Sequence, residues 1–160
     1  MNKIAIRARM RSKRKTLTSS QVSAATDRVT NTLLHIIDWP TISTIHVYES
    51  NPAWNEIQTD GIIEFIRQHY PNVVITVVQP QRTSLFPSKQ FDVILVPLLA
   101  FDGRCNRLGF GGGWYDRFLS TQVNALTIGL AYDFQHVDAL PVESHDIPLA
   151  KVVTETRVYS

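Results

Sequence analysis

Cysteines and long apolar runs are scarce in this sequence. A single cysteine, Cys105, cannot form an internal disulfide, so we expect a reducing, cytoplasmic location. No apolar run reaches the roughly 18 residues that a membrane helix needs, and the basic N-terminus lacks the apolar core of a secretory signal. With 44% hydrophobic and 19% charged residues among 160, the chain is too apolar for disorder and predicts one domain, residues 1–160.

Acidic residues are scarce in the first 40 residues, where Asp27 and Asp38 accompany half of the sixteen Lys and Arg residues. The stretch Lys3–Lys15 contains good helix formers without Gly or Pro, and its spacing places four cations on one helical face. These cations are Lys3, Arg7, Arg11 and Arg14. The local charge indicates an anionic partner, but a solvated helix surface and a nucleic-acid arm remain alternatives. No groove-reading motif accompanies the basic stretch, so we expect no nucleic-acid partner.

Helical and strand patterns alternate along the rest of the chain. Thr18 and Gln21 have capping-box spacing ahead of an apolar stripe that stops before Pro40. Thr59 is placed to cap a second helix, whose buried side is Ile62, Ile63 and Ile66. Strands are predicted at residues 42–48, 73–78, 91–96, 125–131 and 151–154. Because these strands are almost continuously apolar, the pattern predicts a Rossmann-like three-layer α/β fold, a mostly parallel sheet with helices on both faces.

Glycine is also scarce, with seven in the chain, but four of them lie in one short loop between a strand and a helix. The loop reads Arg107-Leu108-Gly109-Phe110-Gly111-Gly112-Gly113-Trp114-Tyr115-Asp116. Glycine amides approach an oxyanion closely, the following helix offers free N–H groups, and Arg107 and Arg117 flank the loop. These features favour a phosphate-binding loop, and a purely steric strand-to-helix turn is the alternative. The spacing matches neither the dinucleotide fingerprint nor the P-loop.

Two carboxylates and three aromatic residues complete the set of candidate residues for metal and substrate binding. Asp116 closes the glycine loop and Asp146 lies in a polar cluster, so both are candidates for Mg²⁺. The alternative to metal binding is, for Asp116, a carboxylate that stabilises the first turn of the following helix. For Asp146 the alternative is a residue that stabilises a turn in a loop. Trp54, Trp114 and Tyr115 have rings that could stack on a flat substrate, although for Trp54 alone we favour a place in the core. No paired base accompanies Cys105, and it is given no role.

The segment from residue 92 to 119 resembles the signature of the 5-formyltetrahydrofolate cyclo-ligase, or 5,10-methenyltetrahydrofolate synthetase, family. Its pattern is an aspartate, an apolar strand, a proline, Ala-Phe-Asp, and then Arg-Leu-Gly-x-Gly-x-Gly-aromatic-Tyr-Asp-Arg, and every position is matched. Further similar blocks are the N-terminal Lys and Arg, Glu56 to Thr59, and residues 129–135, 140–148 and 152–154.

The resemblance implies ATP and Mg²⁺ as cofactors and a reduced folate as substrate. By resemblance, Lys3, Arg7 and the loop 107–115 bind ATP, with Arg107 and Lys3 acting on the transferred phosphoryl group. Glu56, together with Trp114 and Tyr115, is implied to bind the folate, and Asp116 and Asp146 the metal. The reaction implied is conversion of 5-formyltetrahydrofolate to 5,10-methenyltetrahydrofolate with release of ADP and phosphate.

Two other functions stay open at this stage. Only thirteen residues separate Val78 from Asp92, fewer than is usual in the family, and Gln79-Pro80 resembles a Glu-Pro found there, with Gln in place of Glu. A nucleotide-binding or regulatory protein that kept the ATP loop but lost folate turnover is therefore the first alternative. A nucleic-acid binder using the basic first helix is the second. We expect no membrane partner, and the sequence leaves the oligomeric state open.

Overall fold

The computed structural model describes residues 1–79, 85 and 87–160. Its helices are α1 (Lys3–Lys15), α2 (Ser19–Ile36), α3 (Asp60–His69) and α4 (Trp114–Leu119). Its strands are β1 (Thr44–Tyr48), β2 (Val74–Val78), β3 (Val93–Pro97), β4 (Ala100–Phe101), β5 (Arg107–Leu108), β6 (Leu126–Leu130), β7 (Lys151–Val153) and β8 (Val158–Tyr159). All five predicted strands and the predicted helices are present, with ends shifted by one or two residues.

Six strands form one sheet in the order β2-β1-β3-β6-β7-β8, and all neighbours except β7 and β8 run parallel. β4 and β5 form a separate antiparallel pair. The chain leaves β1 toward β2 on one side and returns to β3 on the other, so the topological switch point lies between β1 and β3. Ligands of such sheets bind outside the carboxyl ends of the strands at this point.

Helices cover both faces of the sheet, as predicted. Ile45 and Val47 of β1 face α2 and α3, whereas the alternate residue His46 faces α4. Helix α1 lies elsewhere: Ile6 and Met10 pack on Leu99 and Leu108 near the carboxyl end of β3. The arrangement places the basic helix beside the glycine loop rather than in either helical layer.

The strand β2 is more exposed than its almost continuously apolar sequence indicates. β2 is the edge of the sheet, and Val74 and Val77 are 53% and 43% exposed. An apolar run shows that a strand is favoured but does not show which neighbours will cover it. Among the described residues, no helix is long and apolar enough to cross a membrane.

The two predicted helix starts differ in outcome. Thr18 and Gln21 form the predicted capping box, with each side chain bonded to the other residue's backbone N–H. Thr59 stands at the start of α3 but does not cap it, because its hydroxyl donates to the Tyr48 carbonyl at 2.8 Å. Thr59 therefore ties α3 to the end of β1. Of the Gln79-Pro80 pair, Pro80 lies outside the described residues.

Candidate active site

A short hairpin, β4 and β5, delivers the first residue of the glycine loop. Its turn is organised by Asp102, whose carboxylate accepts hydrogen bonds from the backbone N–H groups of Arg104, Asn106 and Leu140. Burial alone would raise the pKa of Asp102, but these bonds and one from the Asn106 side chain lower it. The turn fixes β5, and Arg107 in β5 consequently points into a cavity.

Arg107 is a buried cation with spare hydrogen-bonding capacity. Its side chain is 3% exposed, and Nη1 lies 2.9 Å from Oδ1 of Asp116. Its Nε and Nη2 are buried and have no hydrogen-bond partner. Burial lowers the pKa of Arg107, yet a guanidinium stays charged at neutral pH. A buried charge with unused donors is costly unless an anion completes the site, so the geometry favours an anionic ligand here.

The glycine loop takes backbone conformations that require glycine at two positions. Gly111 has a φ of 109° and Gly113 a φ of 64°. The Cζ atom of Arg7 lies 3.5 Å from the position that a Cβ atom would take at Gly111, so a larger side chain there would meet the guanidinium. Gly112, in contrast, has open space on its Cβ side. The loop is thus shaped by its glycines and turns directly into α4.

Helix α1 lies along this loop and holds it by its carbonyl groups. Arg7 donates from Nε to the Gly109 carbonyl at 2.9 Å, and Arg11 donates to the Phe110 carbonyl at 3.4 Å. Lys3, one turn earlier, contacts Glu143 and Asp146 at 2.8 and 2.7 Å. The cations predicted to share one face therefore all meet the rest of the chain, which is not the behaviour of a freely solvated helix surface.

A cavity of about 370 Å³ lies between α1, the glycine loop and residues 143–146. It is lined by the predicted ATP-binding residues from Arg107 to Tyr115, by Lys3 and Arg7, and by Asp116 and Asp146. The two aspartates lie at the same place in the fold, because Oδ1 of Asp116 accepts from the N–H of Ile147 at 3.2 Å. Both also hold their neighbourhood together, since Asp146 accepts from the N–H of Glu143.

The fit of a divalent cation to these residues can be judged from their oxygen atoms. Arg107 and Ile147 occupy Oδ1 of Asp116, whereas Lys3 and the Glu143 N–H occupy Oδ2 of Asp146. Oδ2 of Asp116 and Oδ1 of Asp146 accept no hydrogen bond, although His145 Nε2 lies 3.8 Å from Oδ1 of Asp146. These two oxygens remain for a cation. The described residues contain no group of three or more His, Cys, Asp or Glu able to hold a metal alone. This suits Mg²⁺, which binds with phosphate oxygens, water and one or two carboxylates.

A second cavity, of about 390 Å³, opens on the far side of Phe110. Phe110 lines both cavities, and its ring stacks on Trp54 at a centroid distance of 5.0 Å. The core position favoured for Trp54 is wrong, because this side chain is 41% exposed. Its polar surroundings in the loop after β1 explain the difference. The loops after β1 and β3 meet at this cavity, which therefore lies at the switch point of the sheet.

Glu56 is buried and lines neither of these cavities. It is 3% exposed, and Oε2 accepts from the N–H of Asn51 at 2.7 Å, whereas Oε1 is buried without a partner. Burial raises the pKa of Glu56. The buried hydroxyl of Tyr115 also lacks a partner, and burial raises its pKa, with the nearby charge of Glu56 adding to the shift. Each of these residues therefore keeps a buried polar atom without a hydrogen-bond partner, and buried polar atoms of this kind call for an explanation.

Two residues in this region were missed by sequence reasoning. Arg14 was grouped with the basic face, but it is 2% exposed and lines the second cavity. The sequence offered one signal for Arg14, because it lies three residues after Arg11 and therefore on the same helical face. His46 is fully buried among the rings of Phe91, Tyr115 and Phe118. For His46 the sequence offered no such signal, because a histidine within a strand of β-branched residues does not by itself indicate burial.

Comparison with known proteins gives a consistent result. A family model for the 5-formyltetrahydrofolate cyclo-ligase family matches residues 77–155. A 5-formyltetrahydrofolate cyclo-ligase of Haemophilus influenzae is 30% identical over 92% of this chain and 95% of its own length. One of Mycoplasma pneumoniae is 33% identical over 97% and 99%. The solved structure of a 5,10-methenyltetrahydrofolate synthetase from Mycoplasma pneumoniae superposes with a TM-score of 0.81, at 30% identity and with 97% and 99% coverage.

Proposed function

The chain belongs to the 5-formyltetrahydrofolate cyclo-ligase family, and we propose that it is an ATP-dependent ligase that converts 5-formyltetrahydrofolate to 5,10-methenyltetrahydrofolate. The observation that carries the proposal is the 370 Å³ cavity, in which the glycine loop faces a buried, incompletely paired Arg107. A site with these features suits the phosphates of ATP. One domain, residues 1–160, holds both this cavity and the one beyond Phe110. We also propose a cytosolic location, which the lone thiol supports.

The chemistry of the proposed reaction is a phosphoryl transfer followed by ring closure. The formyl oxygen on N5 of the folate attacks the γ-phosphorus of ATP, and ADP leaves. N10 then attacks the activated formyl carbon and loses its proton. The carbon–oxygen bond breaks, phosphate departs with the former formyl oxygen, and the N5–C–N10 bridge of the methenyl product remains. No step requires a nucleophilic side chain, so catalysis rests on position and charge.

Arg107 and Lys3 are proposed to stabilise the transferred phosphoryl group. The support for Arg107 is that the residue lines the cavity and that its buried Nε and Nη2 have no hydrogen-bond partner. Lys3 reaches the same cavity from α1, and in the structure it is paired with Glu143 and Asp146. Arg7 and the glycine loop are proposed to bind the remaining phosphates, since loop amides and a guanidinium lie together there. The nucleotide would thus be held between α1 and the loop.

Mg²⁺ is proposed to bind beside the phosphates, held by Asp116 and Asp146. The support is that one oxygen of each carboxylate accepts no hydrogen bond and that both aspartates line one cavity. Bound there, the cation would neutralise charge on the β- and γ-phosphates. Arg107 and Lys3 hold the two aspartates in place through the ion pairs described above.

Glu56, Trp114 and Tyr115 are proposed to contact the reduced folate. The unpaired Oε1 of Glu56 and the unpaired hydroxyl of Tyr115 are the supporting atoms. We expect Glu56→Gln to raise the folate KM or lower kcat, because a neutral amide accepts hydrogen bonds more weakly than a carboxylate. ATP binding, measured by calorimetry, should stay unchanged. A Glu56→Gln enzyme with unaltered folate kinetics would remove this residue from the substrate site.

The alternative of a protein that lost folate turnover rested on the short segment after Val78. The Mycoplasma pneumoniae relative aligns with this chain over 97% of one and 99% of the other, so a chain of this length is not unusual among its relatives. The relatives described above are named 5-formyltetrahydrofolate cyclo-ligases. Both alternatives are therefore weaker than the ligase.

The experiment that tests the proposal follows product and nucleotide together. Purified protein with 5-formyltetrahydrofolate, ATP and Mg²⁺ should form 5,10-methenyltetrahydrofolate, followed by absorbance, with one ADP per product. Omission of ATP should abolish the product, and chelation of Mg²⁺ should suppress it. ATP binding without any methenyl product would instead support the nucleotide-binding alternative.

A further inference from the structure

Three carbonyl groups of the glycine loop accept hydrogen bonds from arginine side chains of two helices. Helix α1 supplies the donors for two of them, the carbonyls of Gly109 and Phe110. Helix α4 supplies the third, since Arg117 donates from Nη1 to the Gly112 carbonyl at 3.2 Å. The loop is therefore held on both sides by guanidinium groups that bind its carbonyl oxygens.

The N–H groups of the same loop are left unused. Within the part of the chain that the structure describes, the backbone N–H groups of Gly111, Gly112 and Gly113 donate no hydrogen bond. All three residues line the cavity of about 370 Å³ described above. Carbonyls bonded to cations and unpaired amides on one short loop suit the binding of an oxyanion.

Arg117 contacts this loop from outside the cavity. It lies four residues after Gly113, the residue that caps the start of α4, so the two share one helical face. Its Nη1 lies 2.9 Å from the position that a Cβ atom would take at Gly113. The residues that line the cavity include Gly112 and Gly113 but not Arg117. The exposed guanidinium thus takes the space of a missing side chain and is placed to act on the loop rather than on a ligand.

The planar peptide bond turns this contact into an orientation of the next amide. The C=O of Gly112 and the N–H of Gly113 belong to one trans peptide unit, in which the two groups point in opposite directions. A guanidinium that binds the carbonyl therefore directs the N–H away from itself.

We infer that Arg117 is a positioning residue, which holds the Gly112 carbonyl outside the cavity and so presents the N–H of Gly113 to a phosphate oxygen. The inference rests on the proposed function, in which the loop binds the phosphates of ATP that are not transferred. Arg117 itself touches no phosphate in this account. Its contribution is to fix the loop before ATP binds, which reduces the freedom lost on binding.

The direct test follows the backbone amide of Gly113 by ¹⁵N–¹H spectroscopy during titration with ATP and Mg²⁺. We expect the amide resonance to shift strongly at saturation in the unaltered protein, because the N–H gains a charged acceptor. In Arg117→Ala the shift should fall to about half or less, since the peptide unit is no longer held. Equal shifts at saturation in the two proteins would overturn the inference. If Arg117→Ala does not fold, Arg117→Met, which keeps the aliphatic stem, replaces it.

Kinetics separate positioning from a general structural role. Arg117→Ala should raise the KM for ATP about five-fold to ten-fold, with kcat at saturating ATP and the folate KM changed less than about two-fold. Arg117→Lys should recover most of the affinity, because it keeps a cationic donor. The matched control is Arg104→Ala, which removes the same charge from an exposed residue that lines neither cavity and should leave the KM for ATP unchanged. Parallel weakening of ATP and folate would show a structural role and overturn the inference.

A double-mutant cycle tests the contact itself. In Gly113→Ala the new methyl group would lie where Nη1 of Arg117 now is, so it would displace the guanidinium. The two substitutions together should therefore weaken ATP by less than the product of their separate effects. Independent effects would contradict the inference.

The outcomes also distinguish this inference from the proposed function. An Arg117→Ala enzyme with unaltered ATP affinity and intact folate turnover overturns the inference and leaves the function standing. The predicted losses of ATP affinity in a protein without folate turnover support the inference and refute the function. Failure of the unaltered protein to bind ATP overturns both.

Discussion

Arg107 is the residue on which the proposed transfer depends most. We expect Arg107→Ala to lower kcat/KM by about 30-fold to 1,000-fold, which corresponds to about 2–4 kcal/mol of transition-state stabilisation. Steady-state formation of the methenyl product measures the loss, and circular dichroism verifies folding. The matched control is Arg104→Ala, which removes an exposed guanidinium from the turn before β5 that lines neither cavity. Equal kinetics in Arg107→Ala and the unaltered enzyme would take Arg107 out of the site.

His46 should make stability depend on pH. Burial lowers the pKa of His46 from 6.5 to about 4, so between these values the unfolded chain binds a proton that the folded chain does not. Stability therefore falls as the pH falls from 6.5 to 4, by roughly 3 kcal/mol in total. In urea unfolding, His46→Leu should lose less stability than the unaltered protein over this window. Parallel losses in the two proteins would show that His46 is protonated in the folded state.

At the scale of elements, the shape of the glycine loop depends on Gly111 and Gly113, where a side chain would strain the backbone. Gly111→Val should weaken ATP binding strongly, because valine disfavours a φ of 109° and its side chain would meet the Arg7 guanidinium. Calorimetric titration with ATP gives the affinity. For stability, Gly112→Ala is the matched control, since a methyl group there meets nothing and no positive φ is involved. Unchanged ATP affinity in a folded Gly111→Val protein would contradict the loop assignment.

Sequence patterns predicted these elements unevenly, for physical reasons. The order of strand, loop, glycine cluster and helix could be predicted because glycine clusters and helical spacing are local properties of the sequence. The β4–β5 hairpin was not, because two-residue strands carry no periodicity. The edge position of β2 was also missed, since it depends on neighbours that the chain supplies elsewhere. Arg14 was placed correctly on its helical face, but its burial depends on Leu98 and Gln135, far along the chain.

At the scale of the whole molecule, the site is assembled from the two ends of the chain. Lys3 contacts Asp146 across 143 positions of sequence, and Arg7 bonds Gly109 across 102. The resemblance of separate motifs to one family indicated that these residues belong together, and the fold brings them to one cavity. The second cavity required the structure, because it forms where the loops after β1 and β3 meet the end of α1.

The central claim is that the γ-phosphoryl group of ATP moves to the formyl oxygen of the folate. The most direct measurement uses 5-formyltetrahydrofolate labelled with ¹⁸O in the formyl group, in ordinary water, with ATP and Mg²⁺. Mass spectrometry of the phosphate released should find one ¹⁸O atom per molecule formed, because the formyl oxygen leaves with the phosphate. Phosphate without the label would mean that water attacked ATP, and it would contradict the account.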